Sequence, residues 1–274
     1  MDEFDRANSD RTTVKTSFVA LSVAHGGKAW ATAGELREPL EGATGGAVVI
    51  VHGSSGVDSR GATYAGALNA AGLATLEIDL WAARGVTSPA GRPRAVTDTL
   101  PDAFAALAFL AARPGIDPQR IGIVGFSWGG VVSMLTATVA ANETYGPPGL
   151  RFAAHAPLYP VCWVYNRVPG FEFTDLTGAP VLIQAGGMDL YDDPDSAEHL
   201  VAALPEAARA VVRQITYPTA GHAWDRREPD IVIDDPTAHK GAGGEVPFRY
   251  DAGVTRESVG AVVSFLASRD MGHG

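Results

Sequence analysis

Cysteine is almost missing from this sequence. Cys162 is the only one in 274 residues, so no intrachain disulfide can form and a thiolate zinc cluster is excluded. Basic side chains are also scarce, with 21 Lys and Arg against 31 Asp and Glu and a formal net charge of −10. Phosphate backbones need a basic face, so nucleic acid is not an expected partner. An anionic membrane surface is disfavoured for the same reason. No apolar run approaches the roughly 18 residues of a spanning helix. Met1 to Asp10 lacks the basic start and apolar stretch of a secretory signal. A cytoplasmic protein without a membrane partner is expected. No metal-ligand cluster and no dinucleotide motif stands out, so no cofactor is implied.

What is present fits a soluble globular chain: 46% hydrophobic and 19% charged residues. The length suits one open α/β domain over 1–274, with 1–13 a flexible N-terminal segment. Val14 to Ala24 and Lys28 to Ala33 read as strands joined at His25-Gly26-Gly27. Gly45 to Gly53 is a continuous apolar run ended by glycine, the pattern of a buried parallel strand. Further strands are predicted over Leu73 to Leu80, Arg120 to Phe126, Phe152 to Leu158, Pro180 to Ala185 and Val211 to Tyr217. Helical segments fall at Ala62 to Ala71, after Asp98 or Thr99 with Pro101 in the first turn, and at Val131 to Ala141. Ser196 to Ala203 and Val254 to Ser268 complete the helices, and Asp225 to Tyr250 reads as one long irregular stretch. Strands alternating with helices after a hairpin predict a mostly parallel sheet of about eight strands, flanked by helices and without a large cap domain.

Gly125-Phe126-Ser127-Trp128-Gly129 matches G-x-S-x-G between a buried strand and a helix, the context of a nucleophile elbow. A hydroxyl at neutral pH needs a base to take its proton, and on such a sheet the order is serine, then acid, then histidine. His222, in "TYPTAGHAWD" on the loop after the last predicted strand, is the candidate base. His199 sits on a polar helix face and His155 in an apolar strand, so they read as solvated and core residues. His239 lies in the irregular stretch and His273 at the chain end. Asp189 comes first after the strand ending in "VLIQAGGMD" and is the candidate acid, with Asp192 next. Asp193 and Asp195 read as turn and cap residues, and Asp175 lies at the wrong end of that strand.

Acyl transfer also needs donors for a developing oxyanion. The backbone N–H of Trp128 offers one, and "VHGSSG" offers the other through Ser54, with Ser55 as the fallback and His52 as a brace. Trp81, Trp128, Trp163, Tyr165, Tyr191 and Trp224 lie at or beyond strand ends and, with Ser55, are candidates for a substrate pocket. Arg84 is a candidate for a substrate carboxylate or for pairing with Asp79 or another acid, and Arg60 is a weaker one.

With these residues placed, the chain resembles the dienelactone hydrolase family of α/β-hydrolases from about Val48 to Leu266. The resemblance rests on "VVIVHGSSG", "LEIDLWAARG", "IDPQRIGIVGFSWGG", "PLYPVC", "VLIQAGGMDLYDDP", "YPTAGHAWD" and "YDAGVTRESVGAVVSFL". It implies the α/β-hydrolase fold and a Ser127-Asp189-His222 triad acting on a small-molecule ester, lactone or thioester. The namesake enzymes carry cysteine where this chain has Ser127, and an acidic residue where it has "HGSSG". The resemblance therefore does not carry dienelactone over as the substrate. Cys162 reads as a buried residue rather than a substitute nucleophile. A cyclase, lactone-processing enzyme or acyltransferase could use the same triad, differing in water access. A non-catalytic binding protein on this fold would be expected to show a broken triad.

Overall fold

The computed structural model describes residues 13–88 and 91–268, so the flexible segment expected over 1–13 lies, apart from Thr13, outside the described residues. Strands β1 (Val14–His25) and β2 (Lys28–Pro39) form an antiparallel hairpin. Its two-residue turn is Gly26-Gly27, with φ of 57° and 74°, the left-handed pair that suits the twist of a tight hairpin. β2 runs past the expected Ala33 because Ala33 to Arg37 also pair with the next strand of the sheet.

Six more strands complete that sheet: β3 (Ala47–Val51), β4 (Ala74–Asp79), β5 (Ile121–Phe126), β6 (Ala154–Leu158), β7 (Val181–Gly186) and β8 (Val212–Tyr217). The spatial order is β1-β2-β4-β3-β5-β6-β7-β8, parallel from β4 onward. All five residues of β3 are fully buried, which explains its unbroken apolar run. Its side chains alternate between two cores. Val48 and Ile50 meet Tyr64 and Leu68 of helix α1 (Ser59–Ala70) and Val262 and Leu266 of a C-terminal helix, Ala252–Ala267. Val49 and Val51 belong to the opposite core, with Leu107 of α2 (Leu100–Ala111), Val132 of α3 (Trp128–Thr136) and Leu200 of a helix at Ser196–Ala203. Each such aliphatic burial contributes about 1.5–3 kcal/mol.

Two expectations are corrected. The helix predicted over Val131 to Ala141 is two helices, because the Thr138 hydroxyl accepts from the Ala141 N–H and caps a new helix, α4 (Val139–Tyr145). The stretch 225–250 is not wholly irregular: β9 (Ile231–Asp235) and β10 (Gly244–Phe248) pair as an antiparallel ribbon. Helices α5 (Ser196–Ala203), α6 (Glu206–Val211) and α7 (Ala252–Ala267) follow the later strands; α6 has no counterpart among the expected elements. Among the described residues, no helix is long and apolar enough to cross a membrane.

One carboxyl in the sheet is out of its element. Glu77 on β4 stands opposite Glu35 in the strand register, and its buried Oε1 has no hydrogen-bond partner. Burial pushes its pKa up from 4.5 to about 7, against the pull of Arg37 and with the push of Glu35. Between those two values the folded chain holds a proton that the unfolded chain has lost, so this group's contribution falls as pH rises. The decline amounts to at most about 3 kcal/mol. Glu77→Gln should therefore gain stability relative to the wild type between about pH 5 and about pH 8, as urea unfolding at both values would measure.

Candidate active site

The chain leaves β5 through a turn with no room for a side chain at Gly125 or Gly129. Ser127 sits at φ 51°, ψ −109°, a conformation that costs a non-glycine residue about 1–3 kcal/mol. A Cβ on Gly125 would lie 2.0 Å from the Gly129 carbonyl oxygen, and one on Gly129 would lie 2.1 Å from the Val51 oxygen. The glycines of the motif are thus forced by backbone lying on backbone. The Ser127 N–H donates to Leu158 O at 3.0 Å, and its carbonyl accepts from Val131 N–H at 2.9 Å, which locks the turn from both sides.

Asp189 and His222 arrive on loops beyond β7 and β8, and the two loops are tied together. Gly187 N–H donates to Tyr217 O and Met188 N–H to Ala220 O, each at 2.9 Å. Across this clamp, Asp189 Oδ2 lies 2.7 Å from His222 Nδ1, and His222 Nε2 lies 2.8 Å from Ser127 Oγ. An ionised carboxylate can only accept, so Nδ1 carries the proton toward Asp189 and Nε2 is left to accept from the serine hydroxyl. The second carboxylate oxygen accepts from Tyr191 N–H at 2.9 Å. His222 and Asp189 are buried, while Ser127 is half-buried. The Asp189–His222 pair is therefore shielded from solvent, while the Ser127 hydroxyl can be approached.

Trp128 is the first residue of α3, where backbone N–H groups have no carbonyl four residues back and the helix dipole favours negative charge. Ser54 is half-buried and Ser55 exposed, in a turn closed by Gly56 N–H donating to Gly53 O at 3.0 Å. His52 braces this loop: Leu80 N–H donates to its Nε2 at 2.9 Å, which leaves Nδ1–H for the Gly53 carbonyl at 2.7 Å.

The sequence model of the dienelactone hydrolase family matches residues 36–268. The chain belongs to the dienelactone hydrolase family. An uncharacterised protein of Mycobacterium tuberculosis is 32% identical over 188 residues, 66% of this chain and 64% of that one. A Salmonella typhimurium protein with the provisional name carboxymethylenebutenolidase is 36% identical over 124 residues, 43% of this chain and 42% of its own. The chain thus matches less than two thirds of the length of either curated relative. In fold it is similar to an esterase from Pyrobaculum calidifontis, with a TM-score of 0.65, 15% identity and coverage of 96% of this chain and 88% of that one.

Within this dienelactone hydrolase family member, the remaining candidates separate. Trp81 is buried, donates its indole N–H to Ser54 O at 3.1 Å, and meets Trp128 edge-on at 5.4 Å. The Trp128 indole donates to Thr99 Oγ1 at 3.1 Å. Tyr191 lies against the His222 ring at 4.4 Å. Trp163 is half-buried, and its backbone N–H, with that of Cys162, donates to Asp192. That assigns Asp192 to anchoring the 162–163 turn; burial first and Asp189 next push its carboxyl up to about 6. Cys162 is buried, and burial pushes its thiol up, away from the reactive thiolate. His155 is a core residue whose Nδ1 meets Ser133 O at 3.0 Å, and burial lowers its pKa to about 3.

Four candidates are not free to bind substrate. Trp224 is fully buried between Tyr159 and Tyr217. Tyr165 is buried against Phe171 and Phe173, with its hydroxyl on Pro160 O. Both stand next to strand ends but turn into the core, because their large rings find apolar partners there. Arg60 is only 2% exposed; it pairs with Asp58 at 2.6 Å and donates to the Tyr159 hydroxyl at 3.3 Å. Arg84 pairs with Asp102 at 2.6 Å, not with Asp79, and also donates to Leu80 O and Asp98 O.

The sequence reading missed what stands behind His222. Tyr159 meets the imidazole edge-on at 4.8 Å, and Phe248 of the ribbon lies 5.4 Å away. The Tyr159 hydroxyl donates to Asp225 Oδ1 at 2.5 Å, and the Tyr64 hydroxyl donates to Asp225 Oδ2 at 2.9 Å. Burial raises the Asp225 pKa, with Arg60 and the two phenols opposing it. The signal was available only as position: Tyr159 follows a strand end in "PLYPVC", and Asp225 closes "AGHAWD".

The Arg84 pair has a clear expected cost. Asp102 is fully buried, and besides Arg84 it accepts from Trp30 and Thr32 of the hairpin. Arg84→Ala would strand that carboxylate and should cost about 3 kcal/mol of stability in urea unfolding.

Proposed function

We propose that this protein is a serine carboxylic ester hydrolase, a single hydrolase domain that turns over a small-molecule ester, lactone or thioester through an acyl-enzyme. The observation that carries the reading is the unbroken Asp189–His222–Ser127 relay at 2.7 and 2.8 Å, ending on a serine held at the strained elbow. Membership of the dienelactone hydrolase family supports it, as does the likeness in fold to an esterase.

His222 Nε2 takes the proton as Ser127 Oγ attacks the carbonyl carbon, and Asp189 stabilises the imidazolium that forms. The negative charge that develops on the carbonyl oxygen is held by the backbone N–H groups of Trp128 and Ser54. The imidazolium then gives its proton to the leaving alcohol or thiol, and the C–O or C–S bond breaks. Water, deprotonated by the same nitrogen, attacks the acyl-serine, and collapse of the second tetrahedral intermediate releases the carboxylic acid and restores the serine. His52 and Trp81 act on this chemistry only through the shape of the Ser54 loop.

Ser127→Ala should lower hydrolysis of p-nitrophenyl acetate by at least about 10⁴-fold and abolish labelling by a fluorophosphonate. Labelling that survives this substitution, or a folded wild type that neither hydrolyses nor labels, would overturn the proposal.

A further inference from the structure

Tyr191 touches both members of the pair that moves the proton. Its backbone N–H holds Asp189 Oδ1 at 2.9 Å, and its ring lies 4.4 Å from the His222 ring at an interplanar angle of 52°. Its hydroxyl does neither. It reaches 44 residues along the chain to donate to Asp235 Oδ2 at 2.9 Å, on strand β9 of the ribbon. The ribbon is fastened to the same loop twice more: His239 N–H donates to Leu190 O at 2.7 Å, and Lys240 Nζ meets Asp193 Oδ2 at 2.5 Å. Phe248, paired with Ile231 across the ribbon, supplies another wall of the imidazole.

Resting on the hydrolase reading above, we infer that Tyr191 is a positioning residue for the His222 base and that its hydrogen bond to Asp235 makes the 231–248 ribbon part of the catalytic apparatus. Three aromatic rings surround the imidazole, from Tyr159, Tyr191 and Phe248. Tyr159 is pinned by the core carboxylate Asp225, and Tyr191 is pinned by the ribbon carboxylate Asp235. Burial, then the charge of Asp235, pushes the Tyr191 phenol up, so it remains a proton donor to that carboxylate.

The physical effect is on the transition state. The imidazole becomes a cation only as the serine gives up its proton, and an aromatic ring held with its centroid 4.4 Å away, within the range of a cation–π contact, favours that cation. The same ring keeps water from competing for Nδ1–H. A contact that strengthens only when charge develops changes kcat and leaves ground-state binding alone. Asp235 is well placed for the task because it is itself fixed: Thr237 donates to its other oxygen through both N–H and hydroxyl, at 2.8 and 2.7 Å.

The test combines kinetics with a readout that needs no turnover. In Tyr191→Phe, which keeps the ring and loses the tether, kcat for p-nitrophenyl acetate should fall about tenfold with KM within about twofold, the size of one lost hydrogen bond to a charged group. Asp235→Ala, on the ribbon rather than in the core, should give a similar loss. The double variant should lose no more than either single one, since both remove the same bond. The low-field proton NMR signal of His222 Nδ1–H should be sharp in the wild type and broadened by water exchange in both single variants. If Tyr191→Phe does not fold, Asp235→Ala still decides the matter. Wild-type kcat in the variants, losses that multiply in the double variant, or an unchanged NMR signal would each overturn the inference. The fluorophosphonate label on wild-type Ser127 keeps the two proposals apart. Its absence defeats the hydrolase reading, whereas a labelled wild type with indifferent variants defeats only the role of Tyr191.

Discussion

Where β5 meets α3, backbone packs on backbone with no side chain between, and that contact governs the rest of the site. Gly129 lies so close to the Val51 carbonyl, and Gly125 to Gly129, that a single methyl at either would overlap a carbonyl oxygen. This closeness brings the end of β3 and the N-terminus of α3 together around Ser127. It is also why the serine must hold a left-handed conformation: no extended residue could turn the chain through so small a space. The strain is borne locally by two backbone hydrogen bonds to Ser127 and more widely by the fully buried strands on either side.

Beyond the Asp189–His222–Ser127 array, the protein buries two further polar networks. Asp225 gathers the hydroxyls of Tyr64 and Tyr159, and Arg60 joins Tyr159 to Asp58. The network connects α1, the end of β6 and the loop carrying His222, so its members can settle only when all three elements are in place. Asp102 does the same between the hairpin, Arg84 and α2. Buried carboxylates of this kind add little net stability over apolar packing, but breaking one partner is costly. They therefore make alternative arrangements of the elements they join expensive, the His222 loop against α1 and the end of β6 in one case and the hairpin against α2 in the other.

Much of this was legible in the one-dimensional pattern. The central strands β3 and β5 are unbroken apolar runs because they are buried on both faces, and the hairpin is announced by paired glycines. Ser127, Asp189 and His222 could be named because each sits at the C-terminal end of a strand in a fixed order along the chain. The ribbon was not legible, since "IVIDD" is short, polar at one end and separated from its partner strand by eight residues of turn. The split between α3 and α4 was hidden because Thr138 looks like any helix residue until its hydroxyl is seen capping Ala141.

Aromatic and basic residues near strand ends were the least readable. Trp81, Tyr165, Tyr191 and Trp224 share a similar local setting in the sequence, yet one braces the Ser54 loop, two fill the core and one clasps the imidazole. Arg60 and Arg84 likewise pair inward rather than facing a substrate. Hydrophobic period and glycine placement are set by neighbours along the chain, so the sequence alone determined the sheet, the elbow and the order of the three polar residues. The direction in which a ring or guanidinium points is set by partners tens of residues away, as Tyr191 and Asp235 illustrate, and only the tertiary structure could decide it.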